Sequence, residues 1–357
     1  MDSKTAAYRG CLLGLAVGDA MGCAVDKKSW DEICENYGPN GLLGYDLANG
    51  CAEITSYTQY PAFLCNAMLL GAIRGNPDLY SKYLTLGARE WAKSQQFRTG
   101  ERTFCWLSHV PEMRRRMCMD TRMLDALSRE VLGTPEKPVF RSTSPTALTA
   151  AVAVGLCRDC ARLDLNRLAS LGASAVAFTH GEKDAYIAGA YLGAAIARIL
   201  QDSDRPLIEL YRQTSEDIIT LYGEEAKLVT ELIAQAISLT RDPELSPLAS
   251  MTLLGCTTAA ECLAGAVYAS IIHSGNFDEA MIVSVNHSGR SAAVGAVTGA
   301  LLGARLGVES LPEFYLESLE CQKILTELAD DLLQARQVMN LFDDSWDQKY
   351  TQGMPAH

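Results

Sequence analysis

The sequence predicts an all-α protein, and three observations carry that expectation. Apolar residues recur at helical spacing over 62–74, 146–157, 166–178, 184–201, 206–221, 225–239, 257–272, 277–285, 292–306 and 322–339. No alternating apolar–polar run has a hairpin turn beside it, which strand pairs would need. The 357 residues are 48% hydrophobic and 21% charged, the composition of a compact globule with a sizeable core. One domain is expected over 1–345, followed by a frayed tail over 346–357.

Near the N-terminus, "RGCLLGLAVGDAMGCA" (9–24) has the look of a secretory leader. Its apolar run from Cys11 to Val17 is short, however, and Asp19 interrupts it. Glycines at 10, 14, 18 and 22 mark it instead as a buried helix with a groove along one face. "GYDLANG" (44–50) reads as a turn. In "NGCAEITSYTQYPAFLCNAMLL" (49–70), Thr55, Ser56 and Thr58 are good N-cap residues, and Pro61 suits a first helical turn. The region 96–145 is the least regular and ends in the loop "GTPEKPVFRSTSP". "NHSGRSAAVGAVTGALLGARLG" (286–307) then runs from a polar loop into a helix with glycines at 295, 299, 303 and 307. Such a helix start favours negative charge, and the loop carries Arg290 with no carboxylate. Two ladders imply two tightly packed helices, so the chain's ends meet and the adjoining loops line one cleft.

The net charge is −12, and only "MRRRM" (113–117) is locally basic, so nucleic acid is not expected as a partner. No apolar run approaches the ~20 residues that span a bilayer, so no membrane segment is expected. The twelve cysteines follow no framework. Cys157 and Cys160 form the only CxxC, without a second pair or a nearby histidine, and free thiols in a reduced cytoplasm are the expectation. No feature names a protein partner.

Taken together, these segments resemble the ADP-ribosylglycohydrolase family. The stretch "YRGCLLGLAVGDAMGCAVDKKSWDEICENYGPNGLLGYDLANG" looks like its first helix and loop. "FTHGEKDAYIAGAYLGAAIARIL" (178–200) is similar to its Thr-His helix. Residues 257–307 resemble its C-terminal core, and "LPEFYLESLECQKILTELADDLL" (311–333) resembles its closing segment. The resemblance implies an orthogonal helix bundle with a dinuclear magnesium site in a central cleft. It also implies hydrolysis of the glycosidic bond between ADP-ribose and a protein side chain.

The chain departs from the family where that chemistry resides. The family's first metal loop, Thr-Asp-Asp-Thr-Gln, reads Thr55-Ser56-Tyr57-Thr58-Gln59 here. Its second, Gly-Asp-x-Asp-Thr, reads Gly289-Arg290-Ser291-Ala292-Ala293. Among the former ligand positions Thr55, Ser56, Tyr57, Arg290, Ala292 and Ala293, only Thr55 matches. The acidic residue after the first helix falls at Asp26, and the family's glycine-rich ligand loop falls near Ser144-Pro145-Thr146. Two divalent ions ~4 Å apart need several carboxylates to offset their repulsion, so magnesium is expected to be lost and no cofactor retained. The leading expectation is a pseudoenzyme holding a small anionic, ADP-ribose-like ligand through Thr55, Ser56, Tyr57, Arg290 and Ser291. One alternative is metal-free hydrolysis using Asp26 or Asp46 with His180 or His287. The other is a structural or protein-interaction role, in which Arg290 pairs with Asp26 or Glu53 and the cleft is vestigial.

Overall fold

A computed structural model describes residues 2–47, 50–74, 79–96, 103–157, 163–338 and 344–353. The helices are α1 (Ser3–Cys23), α2 (Trp30–Tyr37), α3 (Ser56–Arg74), α4 (Tyr80–Ser94), α5 (Thr121–Ser128) and α6 (Ala150–Leu156). There follow α7 (Leu165–Ala177), α8 (Lys183–Gln201), α9 (Leu207–Tyr222), α10 (Lys227–Leu239), α11 (Pro247–Leu254) and α12 (Ala259–Ile272). The chain ends with α13 (Phe277–Val285), α14 (Ser291–Leu306), α15 (Glu313–Ser318), α16 (Gln322–Val338) and α17 (Asp344–Thr351). Among the described residues the β pairing is one isolated parallel bridge, Ala52 to Leu319. The fold is all-α.

Every periodic stretch of the sequence falls on a helix, and the differences lie at the ends, in the short elements and at α4, 15 residues long and outside those stretches. Helix α3 begins at Ser56 rather than near 62, so Pro61 lies inside it. Thr55 makes this early start possible, since its Oγ1 accepts from the Tyr57 N–H and its carbonyl accepts from Gln59. The expected tail is also different. In α17, Trp346 and Tyr350 stack with ring centroids 5.2 Å apart, Tyr350 is fully buried, and Lys349 bonds Glu327 and Asp331. An aromatic pair four residues apart docks the segment that its polar composition had suggested would fray. Residues 354–357 lie outside the described residues, as does Cys160 of the CxxC.

One continuous cluster of buried residues runs from Tyr8 to Tyr350. Its axis is the antiparallel pair α1 and α14. A Cβ added at Gly10, Gly14, Gly18 or Gly22 would lie within 3.0 Å of the backbone at Gly303, Gly299, Gly295 or Ser291 respectively. The two glycine ladders therefore interlock, backbone against backbone. Around this pair, α3 and α16 pack on each other and on α1, α13 packs on both α1 and α14, and α6, α7, α8 and α12 complete the surround. Among the described residues no helix is long and apolar enough to cross a membrane.

Backbone atoms cannot rotate away as side chains do, so this contact admits no methyl group. Gly14→Ala or Gly299→Ala is expected to cost about 3 kcal/mol, the upper range for an overpacked core. Gly275→Ala, where an added Cβ has nothing within 4 Å, serves as the control and should change stability little. Urea denaturation of the three variants checks this.

Candidate functional site

The interlocked helices bring the end of α1 against the start of α14, and the cleft residues gather there. Asp19, on α1, is fully buried. Its carboxylate accepts from the Thr55 N–H at 2.8 Å, the Thr55 hydroxyl at 2.6 Å and the Thr58 hydroxyl at 2.6 Å. Burial pushes its pKa up to about 6, against the pull of these Thr55 and Thr58 bonds. Asp19 thus ties the first turn of α3 to α1, and all of its acceptor capacity serves that join.

The loop into α14 is fastened on every side. Asn286 exchanges two 2.8 Å bonds with the Leu42 backbone. The Ser288 hydroxyl accepts from the Trp30 N–H at 2.7 Å, and the Gly289 carbonyl accepts from Lys27 at 2.9 Å. Arg290 donates its N–H to the Cys256 carbonyl at 2.8 Å and occupies the N-cap position of α14. Its side chain turns inward. Nε donates to Asp26 Oδ2 at 3.3 Å and Nη2 donates to the Tyr57 hydroxyl at 3.0 Å. The second Asp26 oxygen accepts from the Ala292 N–H at 3.2 Å. The Asp26 and Arg290 side chains are only 6% and 16% exposed, which makes this a largely desolvated pair. Burial pushes Asp26 up from the usual carboxylate range, with Arg290 pulling it back. Burial also pulls Arg290 down, but Tyr57 and Asp26 more than compensate and secure its charge.

A second wall of the cleft is built around His180. Its Nε2 bonds the Thr146 hydroxyl at 2.9 Å and its Nδ1 the Thr179 hydroxyl at 2.8 Å. Thr146 in turn meets the Ser144 hydroxyl at 3.2 Å. Burial lowers the His180 pKa to about 4, so the ring is neutral. Asp120 caps α5 and binds the Arg122 guanidinium at 2.8 Å; burial pushes its pKa up, but Arg122 more than offsets this.

The structure brings Asp26, Thr55, Ser56, Tyr57, Arg290 and Ala292 together. Thr55 and Tyr57 are fully buried, Ser56 is nearly so, and each bonds within the protein. Ser291 and Ala293 are buried in the first turn of α14, with the Ala293 N–H given to the Arg290 carbonyl. Asp46 is exposed and bonds Tyr37, apart from this cluster. Glu53 pairs with Arg115, so of the two carboxylates suggested for Arg290 it is Asp26 that it meets. His287 is buried with Nε2 on the Ser284 carbonyl. Sequence reasoning missed Cys118, whose Sγ lies 2.9 Å from that of Cys23, and the Asp120–Arg122 pair. Both stand in the region 96–145, where no periodicity signals a fixed position.

The packing of the two end helices defines an all-α helix bundle. A solved structure titled "ADP-ribosylglycohydrolase-related protein complex" has the same fold, with a TM-score of 0.57 and 20% identity over 94% of this chain and 100% of that one. The ADP-ribosylglycohydrolase family profile matches residues 1–341, and the chain belongs to that family. An uncharacterized protein of Archaeoglobus fulgidus is 26% identical over 334 residues, covering 91% of this chain and 95% of the relative.

Two predictions arise from the site's electrostatics. His180 and His287 are both held near a pKa of about 4 by burial. The unfolded chain protonates them below about 6.5, so they leave stability intact above that pH and erode it as pH falls toward 4. Asp19, raised to about 6, works the other way, adding stability as pH falls from 6 toward the ordinary carboxylate value. The two histidines are expected to dominate. Urea midpoints should drop between pH 7.5 and 5, and His180→Gln with His287→Gln should flatten that drop. The Arg290–Asp26 pair gives the second prediction. Arg290→Met or Asp26→Asn alone should cost about 3 kcal/mol by leaving a buried charge or its partner unpaired, whereas the double variant should lie within about 1 kcal/mol of wild type. A double-mutant cycle measured by chemical denaturation decides it.

Proposed function

We propose that this chain is a member of the ADP-ribosylglycohydrolase family that does not carry out magnesium-dependent hydrolysis. One observation carries this reading: the Arg290 guanidinium lies between Asp26 and Tyr57, at the positions that correspond to the family's metal loops. The residues present do not fit two magnesium ions. Magnesium takes hard oxygen donors, mostly carboxylates and water, in octahedral array. Of the two carboxylates here, Asp19 is spent on Thr55 and Thr58, and Asp26 is neutralised by a fixed cation. Among the described residues no group of three or more His, Cys, Asp or Glu side chains is arranged to hold a metal. A divalent ion placed beside Arg290 would meet repulsion in a poorly hydrated site.

Metal-free hydrolysis by Asp26 and His180 is disfavoured by the same geometry. Asp26 is bound on both oxygens, and both His180 ring nitrogens are committed to threonine hydroxyls. A general acid or base needs a free position aimed at the reacting atom.

The role favoured here is recognition of an anionic, ADP-ribose-like ligand. It is favoured by Arg290 Nη1, which has no hydrogen-bond partner among the described residues while the side chain keeps some exposure. That nitrogen can donate to a phosphate oxygen. Thr55, Ser56, Tyr57 and Ser291 support this reading from behind, by fixing the arginine and its helix, rather than as direct contacts. Asp26 offsets much of the attraction, so affinity is expected to be modest.

Magnesium titrated calorimetrically into the protein is expected to give no strong site, and hydrolysis of ADP-ribosyl-arginine or ADP-ribosyl-serine should stay at background with or without the ion. Robust magnesium-dependent turnover would overturn the proposal. Restoring the family pattern through Ser56→Asp, Tyr57→Asp, Arg290→Asp, Ala292→Asp and Ala293→Thr should create a magnesium site. For the ligand, ADP-ribose and inorganic phosphate are compared by thermal shift on wild type and Arg290→Ala, where loss of the charge-assisted bond should weaken binding about tenfold. Equal shifts in both proteins would remove Arg290 from recognition. No shift in either would leave the structural role standing.

A further inference from the structure

We infer that Cys23 and Cys118 are a reversible disulfide-forming pair, a modification site at the rim of the cleft. Cys23 is the last residue of α1, and Cys118 sits in the segment leading to α5, 95 residues away in sequence. Their Sγ atoms are 2.9 Å apart. A disulfide requires ~2.05 Å, so the sulfurs need only close by about 0.9 Å.

The surroundings hold the two thiols in place. Ser56 at the start of α3 donates its N–H to the Met117 carbonyl at 3.2 Å and its hydroxyl to the Cys118 carbonyl at 3.1 Å. Cys118 has φ +48°, a left-handed conformation that a residue with a Cβ rarely adopts without support from its neighbours. The Cys118 side chain is thus directed at α1 by a backbone pinned on both sides. Cys23 is set by the glycine-packed end of α1, next to Gly22 on Ser291. Both residues are partly exposed, whereas Cys11, Cys65, Cys105, Cys157, Cys256 and Cys262 are buried. A small oxidant can therefore reach this pair and not those thiols.

The hydrogen bond with Cys118, and burial after it, push the Cys23 thiol above its ordinary value, so it stays protonated and reacts slowly at neutral pH. Proximity of the second thiol compensates, because the closing step is intramolecular. With a hydroperoxide as oxidant, one thiolate attacks the O–O bond, which breaks and leaves a sulfenic acid. The second sulfur then attacks that sulfur, the S–S bond forms and water leaves. Two thiols give up two electrons and two protons, and hydrogen peroxide becomes two waters. A dithiol reverses the reaction by exchange.

The bond would staple the end of α1, three residues before Asp26, to the segment that overlies Ser56 and leads to Asp120. It would fix one edge of the cleft mouth without touching the Arg290 pair. The inference is independent of the loss of magnesium.

The test treats reduced, full-length protein with hydrogen peroxide and maps peptides without reduction. The expected result is a cross-linked peptide joining residues 23 and 118, lighter by two hydrogens and abolished by dithiothreitol or by Cys118→Ser. Its formation should speed up as pH is raised. The oxidised protein should also unfold about 5 °C higher than the reduced form, as a long closed loop constrains the unfolded chain. Recovery of Cys23 and Cys118 as separate alkylated or sulfinic acid peptides would overturn the inference. So would cross-linking of either to the partly exposed Cys34, Cys51 or Cys321.

Discussion

The contact on which the rest depends is the backbone approach of α1 and α14. Four glycines on α1 face Gly303, Gly299, Gly295 and Ser291, and no side chain intervenes. Each helix becomes the floor on which the other's flanking loop rests. Asp19, Cys23 and Asp26 leave α1 at a fixed depth, and Arg290 enters α14 at the same depth, because the two backbones cannot slide without collision. The cleft is therefore a property of helix packing rather than of its loops.

Within that frame, one internal ion pair ties the site's segments together. Cations in a cleft organise the carboxylates and loops around them, and Arg290 organises Asp26, Tyr57 and, through Asp26, the first free amide of α14. Its charge is covalently attached, so the arrangement needs no ligand and no metal concentration. The helix N-terminus attracts negative charge, and Asp26 supplies it directly to the Ala292 N–H. What was read in the sequence as an open anion site is thus half filled from within.

The long helices were legible because burial on one or all faces writes itself as apolar periodicity. Helix α4 carried the same signal, with Tyr80, Tyr83, Leu84, Gly87, Ala88 and Trp91 buried at helical spacing, and it shows that polar interruptions such as Lys82 and Arg89 mask a pattern that packing makes obvious. The short helices α2, α5, α11 and α15 are stopped by caps and turns before a period can be counted. At the site, the loops' meeting was legible from the paired ladders. The partner of Arg290 was not, since Asp26 and Glu53 are equally plausible in sequence and only the three-dimensional path sends Glu53 to Arg115. The nearness of Cys118 to Cys23 was invisible for the same reason: it arises from a positive-φ residue in an irregular segment, which no spacing rule encodes.

The ion pair also makes single substitutions around it costly. A change of Arg290 to a carboxylate would set a like charge against the buried Asp26. Loss of Asp26 first would strand the guanidinium in a site that is only 16% exposed on the arginine side. Replacing Tyr57 first would remove the hydroxyl that accepts from Nη2 and open a void under a fully buried ring. Each of these changes leaves an unpaired charge or an unfilled space. The pair is held by the same packing that joins α1 to α14.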